Sequence, residues 1–161
     1  MTPGIYAGVC RSESRMDRDE LLARAEAAAL RAYAPYSRFR VGATVVVETS
    51  GGPRIVTGAN VENASYGLTL CAERAALAAA FQLDAPDDAR TAPPRPRVTH
   101  IAVACIDAAP DASASQRTPC GACRQWLAEL APDAVYYVDG IPGELRLPDL
   151  LPYAFALPPE A

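Results

Sequence analysis

Three cysteines constrain this chain more than any other residues. Cys71 stands in Cys71-Ala72-Glu73-Arg74, and Cys120 and Cys123 stand well downstream in Pro119-Cys120-Gly121-Ala122-Cys123. Any fold in which all three hold one ion has to bring these two segments together. Three thiolates suit Zn²⁺ and leave one tetrahedral position open, where a water can be held and activated. Glu73, two residues from one ligand, is placed to handle the protons. Cys10 and Cys105 fall outside the pattern. An odd count of five cysteines, three of them in a metal-like arrangement, fits reduced thiols and a metal better than a disulfide framework.

The rest of the chain alternates helical and strand-like stretches. Asp17 followed three residues later by Glu20 resembles a capping box, and Leu21, Leu22, Ala25, Ala28, Ala29 and Ala32 recur at helical spacing. This predicts a helix over 17–33, stopped by Pro35. Tyr36 and Phe39 lie in the turn that follows, and taken alone such aromatics are expected to pack into a core. β-Branched runs over 41–48 and 54–61, separated by Ser50-Gly51-Gly52-Pro53, predict a hairpin. Asn60 and Glu62 leave the end of its second strand just before the first cysteine. Such residues usually form turns, but their place beside the metal motif makes them binding candidates.

An alanine-rich helix over 70–83 puts Cys71 near a helix N-terminus, and a helix over 120–130, led in by Pro119, does the same for Cys120. Between them come a proline-rich loop over 84–97, a strand over 98–106 carrying His100 and Cys105, and a polar loop over 107–118. A strand over 135–138, a candidate last strand over 144–147 and one helical turn over 148–151 complete the order. Phe155 then sits between prolines in a tail expected to pack on the chain's own core. This order predicts an α/β fold in which a mixed sheet is covered by helices on both faces.

A chain of 161 residues suits one domain. Residues 1–16 show no periodicity and read as a flexible arm with an incidental thiol at Cys10, so the folded domain is expected over 17–161. No apolar run reaches the roughly 18 to 20 residues that span a bilayer. The first fifteen residues hold no apolar stretch of the kind a secretory signal needs, so a cytoplasmic protein with no membrane partner is expected. A net charge of -4 argues against nucleic acid as a partner and fits a small neutral substrate.

Zn²⁺ on three thiolates carries a net negative charge, which weakens it as a Lewis acid unless something offsets it. Two helix N-termini, each worth about half a positive charge, would do so and would also favour the thiolates. Arg74 is either a solvated helix arginine or a further source of compensation through hydrogen bonds to sulfur. His100, the single histidine, lies in a strand far from both motifs and reads as an ordinary strand residue; Cys105 reads as a small buried hydrophobe. A fourth ligand from either would close the site and make it structural, the non-enzymatic alternative. A redox Cys-x-x-Cys would leave Cys71 and Glu73 without a role.

Cys-x-Glu followed by Pro-Cys-x-x-Cys resembles the zinc-deaminase signature in its three-cysteine form. Residues 34–43, which read Ala-Pro-Tyr-Ser-Arg-Phe-Arg-Val-Gly-Ala, residues 58–68, Cys71-Ala72-Glu73-Arg74 and residues 119–125 together resemble the successive motifs of cytidine deaminases, in order, from about Asp17 to Phe155. The resemblance implies a three-layer α/β/α sandwich with a mixed five-stranded sheet and one catalytic domain over 17–161. It implies hydrolysis of cytidine and 2′-deoxycytidine to the uridines with release of ammonia, as in pyrimidine salvage. One Zn²⁺ per subunit would rest on Cys71, Cys120 and Cys123, with water in the fourth place attacking C4. Glu73 would carry a proton from that water to N3 and then to the leaving ammonia.

The same resemblance implies that Asn60 and Glu62 bind the ribose 3′-hydroxyl, that Phe39 packs against the pyrimidine, that Ala72 belongs to the substrate-binding set and that Arg74 neutralises the thiolates. Phe155 matches a C-terminal phenylalanine that reaches a neighbour's active site in the small homotetrameric enzymes, so a homotetramer is implied. The loops over 84–97 and 107–118 look longer than is usual in the family, and Ala156 stands where a glycine often follows the phenylalanine. These departures concern subunit packing and the pocket rim. They leave another aminated pyrimidine nucleoside, such as a nucleoside antibiotic, as the alternative substrate.

Overall fold

Asp17 caps the first helix, α1 (Arg18–Ala29), by accepting from the Asp19 N–H at 3.2 Å. The computed structural model describes residues 17–83 and 96–157; the segment 1–16 with Cys10, most of the loop expected over 84–97, and 158–161 lie outside it. Glu20 does not return to the cap, as a capping box requires, but pairs with Arg24 one turn on, at 2.7 Å. The helix ends well before 33, because Tyr33 has left it to bridge Val61, its N–H donating to the Asn60 carbonyl at 2.9 Å.

The expected hairpin forms from β1 (Val41–Thr49) and β2 (Gly52–Ala59). β1 also pairs antiparallel with β3 (Arg97–Cys105), which pairs in parallel with β4 (Val135–Val138), giving a mixed sheet in the order β2-β1-β3-β4. As an inner strand β1 is buried on both faces, which is why it reads as a continuous apolar run. Ala43, Val45 and Val47 face Ala76 and Leu77 of α2 (Ala72–Ala80) and Leu127 of α4 (Gly121–Leu130), together with Ile101, Val103 and Tyr136 from the sheet. Val46, Ala102 and Tyr137 face Leu21 and Leu22 of α1. One helix covers one face and two cover the other, so the three layers are as expected.

Among the described residues four strands stand where five were expected. The stretch over 144–147 is reduced to one antiparallel bridge, in which Leu145 and Tyr136 exchange N–H···O bonds of 2.9 and 3.0 Å. Arg146 is already the cap of a one-turn helix, α5 (Leu147–Leu150), so the chain turns off the sheet after a single pair. The segment 107–118 is likewise not wholly irregular: Ser113 and Gln116 cap one another across a turn of helix, α3 (Ala114–Arg117).

Two glycines let the layers close. A Cβ on Gly42 would lie 1.9 Å from the Ala25 carbonyl oxygen of α1, and one on Gly58 would lie 2.6 Å from Ala76 N and 2.7 Å from Ala72 O of α2. Backbone meets backbone at both places, so neither clash can be relieved by turning a side chain. Gly42→Ala and Gly58→Ala are each expected to cost about 1–3 kcal/mol, read as a lower denaturant midpoint at unchanged slope. An unchanged midpoint in both would mean that the layers are not held at these contacts.

Candidate active site

Helices α2 and α4 begin within reach of each other. Cys71 is the N-cap of the first and Cys120 of the second; both backbones are extended there, and neither thiol makes a side-chain cap bond to its helix. The two sulfurs face one another, 3.9 Å apart. Cys123, fully buried in the first turn of α4, completes a set whose sulfurs all lie within 4.8 Å of one another. Tetrahedral Zn–S bonds of about 2.3 Å place sulfurs roughly 3.8 Å apart, so the three thiols fit zinc.

Among the described residues no other cysteine or histidine joins the set. The His100 ring stacks on Tyr137 with centroids 6.1 Å apart, its Nδ1 3.0 Å from the Thr99 hydroxyl. Cys105 is buried, as expected, with its sulfur 3.6 Å from the Arg117 carbonyl oxygen. Neither candidate for the fourth ligand of a closed structural site, His100 or Cys105, reaches the three thiols.

The surroundings favour negative charge on sulfur. Two helix N-termini meet at the cluster, each adding about half a positive charge. Arg74 donates to the Thr69 carbonyl at 2.7 Å and reaches Cys71 Sγ at 3.7 Å. A hydrogen bond from Cys123, then those from Arg74 and Cys120, bring the Cys71 thiol down to about 5; the same bond pushes Cys123 up. Glu73 is only 4% exposed, and burial pushes its carboxyl up to about 7. An acid poised near neutrality can both give and take a proton there.

Beside the cluster lies a cavity of about 250 Å³, with Cys71, Glu73 and Cys120 on one side and Phe39, Asn60 and Glu62 on another. Asn60 accepts from Val41 N at 2.8 Å and donates to Phe39 O at 3.0 Å, so one amide fixes the chain on both sides of Arg40 and sets where Phe39 stands. Phe39 is half-buried on this wall and Tyr36 is half exposed, so neither packs into the core as expected for them alone. Glu62 accepts from the N–H groups of Tyr36 at 3.0 Å and Ser37 at 3.1 Å and from the Ser37 hydroxyl. The Ser37 hydroxyl bond comes first in holding its carboxyl below the ordinary range.

Two residues expected in the substrate set lie apart. Ala72 is wholly buried in the core and does not line the cavity. Phe155 is 70% exposed, its backbone held by the Gln125 amide of α4 through bonds of 2.9 and 3.2 Å. Tyr153 and Leu157 are exposed with it, so the tail does not pack on the chain's own core; the Gln125 bonds hold it along α4.

Ser37 and Arg124 lie inside the motifs quoted above with no role given to them there, and Arg117 lies outside those motifs; the two arginines anchor the segment that leads to Cys120. The Arg124 guanidinium donates to Pro119 O at 2.6 Å, to the Thr118 hydroxyl at 2.8 Å and to Leu150 O at 2.9 Å. It has no acidic partner in this bonding, so no charge pattern could have marked it.

Thiols at two facing helix starts, with a buried acid in the first turn of one of them, place the molecule among the α/β/α zinc deaminases. Within that class the chain belongs to the family of the cytidine and deoxycytidylate deaminase zinc-binding region, whose sequence profile matches residues 15–139. It is 42% identical over 144 residues to a cytidine deaminase of Halalkalibacterium halodurans, covering 87% of this chain and 95% of that one. Against a cytidine deaminase of Mycobacterium tuberculosis it is 42% identical over 142 residues, covering 88% and 92%. Its fold is similar to the crystal structures of cytidine deaminases from Mycobacterium tuberculosis (TM-score 0.65, 38% identity, 88% of this chain and 98% of that one) and Burkholderia pseudomallei (TM-score 0.65, 40% identity, 87% and 100%).

Because Arg124 holds the residue before a ligand, Arg124→Met is expected to surrender zinc to a chromogenic chelator about tenfold faster than the parent, with α4 intact by circular dichroism. Equal release rates would restrict Arg124 to joining α4 and α5.

Proposed function

We propose that this chain deaminates cytidine and 2′-deoxycytidine to the corresponding uridines by hydrolysis, acting as one catalytic domain with zinc on Cys71, Cys120 and Cys123. The observation that carries the reading is the buried Glu73 carboxyl beside three converging thiols, opening on a cavity whose other wall presents Asn60 and Glu62. Zinc, when bound, supplies the Lewis acidity that makes water a nucleophile at neutral pH. The protein's own groups handle everything else.

Glu73 takes the proton that water loses as its oxygen bonds to C4, and passes it to N3. It then carries the second proton to the amino nitrogen as the C4–N bond breaks and ammonia leaves. Its raised proton affinity matches this exchange. Arg74 and the two helix starts offset the net negative charge of zinc on three thiolates. Phe39 packs against the pyrimidine. Glu62 offers the 3′-hydroxyl an acceptor: a carboxylate has about four lone-pair sites, and the Tyr36 and Ser37 donors occupy three. Asn60 lies on the same wall as the ribose partner of Glu62, while its bonds to 39 and 41 keep that wall in shape.

Ala72, between a ligand and the acid, would meet substrate through its backbone. Phe155 would serve the cavity of a neighbouring subunit in a homotetramer, a reading supported by its exposure together with Tyr33, Val61, Tyr66 and Leu68, apolar area of the kind that subunit contacts cover. The reaction belongs to pyrimidine salvage in the cytoplasm, in keeping with the free thiols at the site. Among the described residues no helix is long and apolar enough to cross a membrane.

A nucleoside panel followed by ultraviolet absorbance and ammonia release is expected to show turnover of cytidine and 2′-deoxycytidine. Turnover confined to another aminated pyrimidine nucleoside would replace the substrate while keeping the reaction. Glu73→Gln is expected to keep its zinc, measured by metal analysis, and to lose at least about 10²–10⁴-fold in kcat; undiminished deamination would remove Glu73 from the mechanism. Light scattering is expected to report a tetramer, and Phe155→Ala to lower kcat/KM while the mass stays tetrameric. A fully active monomer would end the shared-site reading.

A further inference from the structure

The segment between the end of β3 and Cys120 forms part of the cavity wall, and its ends are held from outside, by Arg40 at Asp107 and by Arg124 at Thr118 and Pro119. Gln116, Arg117 and Thr118 line the cavity, and across 106–118 Arg117 is the one buried residue. No side chain of 106–118 belongs to either core cluster. Between those two ends the anchor is a buried guanidinium: Arg117 donates Nη2 to Ala109 O at 2.7 Å and Nε to Ala112 O at 3.4 Å, and its Nη1 pairs with Asp139 Oδ2 at 3.1 Å. The first two bonds fold the segment back on its own start. The third fixes it just past the end of β4, the Arg117 side chain being only 8% exposed.

A second feature is shaped around this arginine. Gly140 has φ +74°, and a Cβ there would lie 2.9 Å from three guanidinium atoms. Glycine serves the turn and leaves the space the guanidinium occupies. At the other end, the Cys105 sulfur lies 3.6 Å from the Arg117 carbonyl oxygen, which sets the wall against the last residue of β3.

We propose that Arg117 is a positioning residue of the substrate cavity, whose buried guanidinium, locked between Asp139 and the Ala109 and Ala112 carbonyls, shapes the 107–118 wall. The metal ligand just beyond is insulated from it, because Arg124 separately holds Thr118 and Pro119. Glu73 and Cys123 sit on helices packed into the core. Losing Arg117 therefore weakens substrate binding and spares both zinc and the chemical step.

The inference rests on the nucleoside deaminase reading, and two independent measurements separate their failures. In the zinc-loaded enzyme, Arg117→Met is expected to raise KM for cytidine about tenfold with kcat and zinc content near parental values, and Arg117→Lys to recover part of the loss. Amide hydrogen exchange over 108–117 is expected to speed up about tenfold in Arg117→Met while α2 and α4 keep their protection. Asp139→Asn, altered at a partly exposed partner, is expected to raise KM less in the same sense, and it decides the matter if Arg117→Met does not fold. A lower melting temperature with KM unchanged overturns the proposal, as does loss of zinc and kcat at constant KM. If the parent turns over no nucleoside, the deaminase reading fails, and the exchange measurement alone judges whether Arg117 shapes the wall.

Discussion

The site depends on how closely α2 lies against the hairpin. Gly58 has no side chain where β2 passes under the first turns of that helix, so the Ala72 carbonyl and the Ala76 N–H come down onto the strand itself. That seating buries Glu73 and directs the helix N-terminus, with Cys71 as its cap, over the end of the sheet. α4 packs on the same face through Leu127 and brings Cys120 and Cys123 to the same place. The acid owes its raised proton affinity to this burial first, and only then to the sulfur beside it.

Three arginines then organise the surroundings in different ways. Arg74 reaches a sulfur and a carbonyl, placing positive charge where the thiolates concentrate negative charge. Arg124 spends its donors on two carbonyls and a hydroxyl, stiffening the approach to Cys120. Arg117, the one buried residue of 106–118, ties the middle of that stretch to its own start and to Asp139. The planar five-donor guanidinium suits all three tasks, since it can bridge several carbonyls at fixed angles where an ammonium would act as a point charge.

Much of the fold was legible because it is locally encoded. The hairpin has β-branched runs around a Gly-Pro turn, and the Ala-rich and Pro-led helices carry their own start signals, so these elements fell close to their expected bounds. The misreadings arose where a competing contact, near or far along the chain, overrides the expected pattern. Glu20 had two available partners and took Arg24. The stretch over 144–147 lost its strand to the cap of α5, and Phe39 and Tyr36 look like core residues until Asn60 fixes the turn that displays them. Arg117 gave no signal, because what makes it special is burial, and its partner Asp139 lies on a different element.

From the sequence alone came the chemistry on offer: three thiols with no histidine nearby, an acid two residues from one of them, and a polar pair at a strand end. These are determined by residue type and spacing, which no fold can change. Only the tertiary structure decided that Cys71 and Cys120 meet, that Glu73 is buried enough to hold a proton near neutrality, and that Glu62 keeps one acceptor site free. Distance, desolvation and hydrogen-bond occupancy belong to the packed molecule, because each depends on groups brought together from separate parts of the chain.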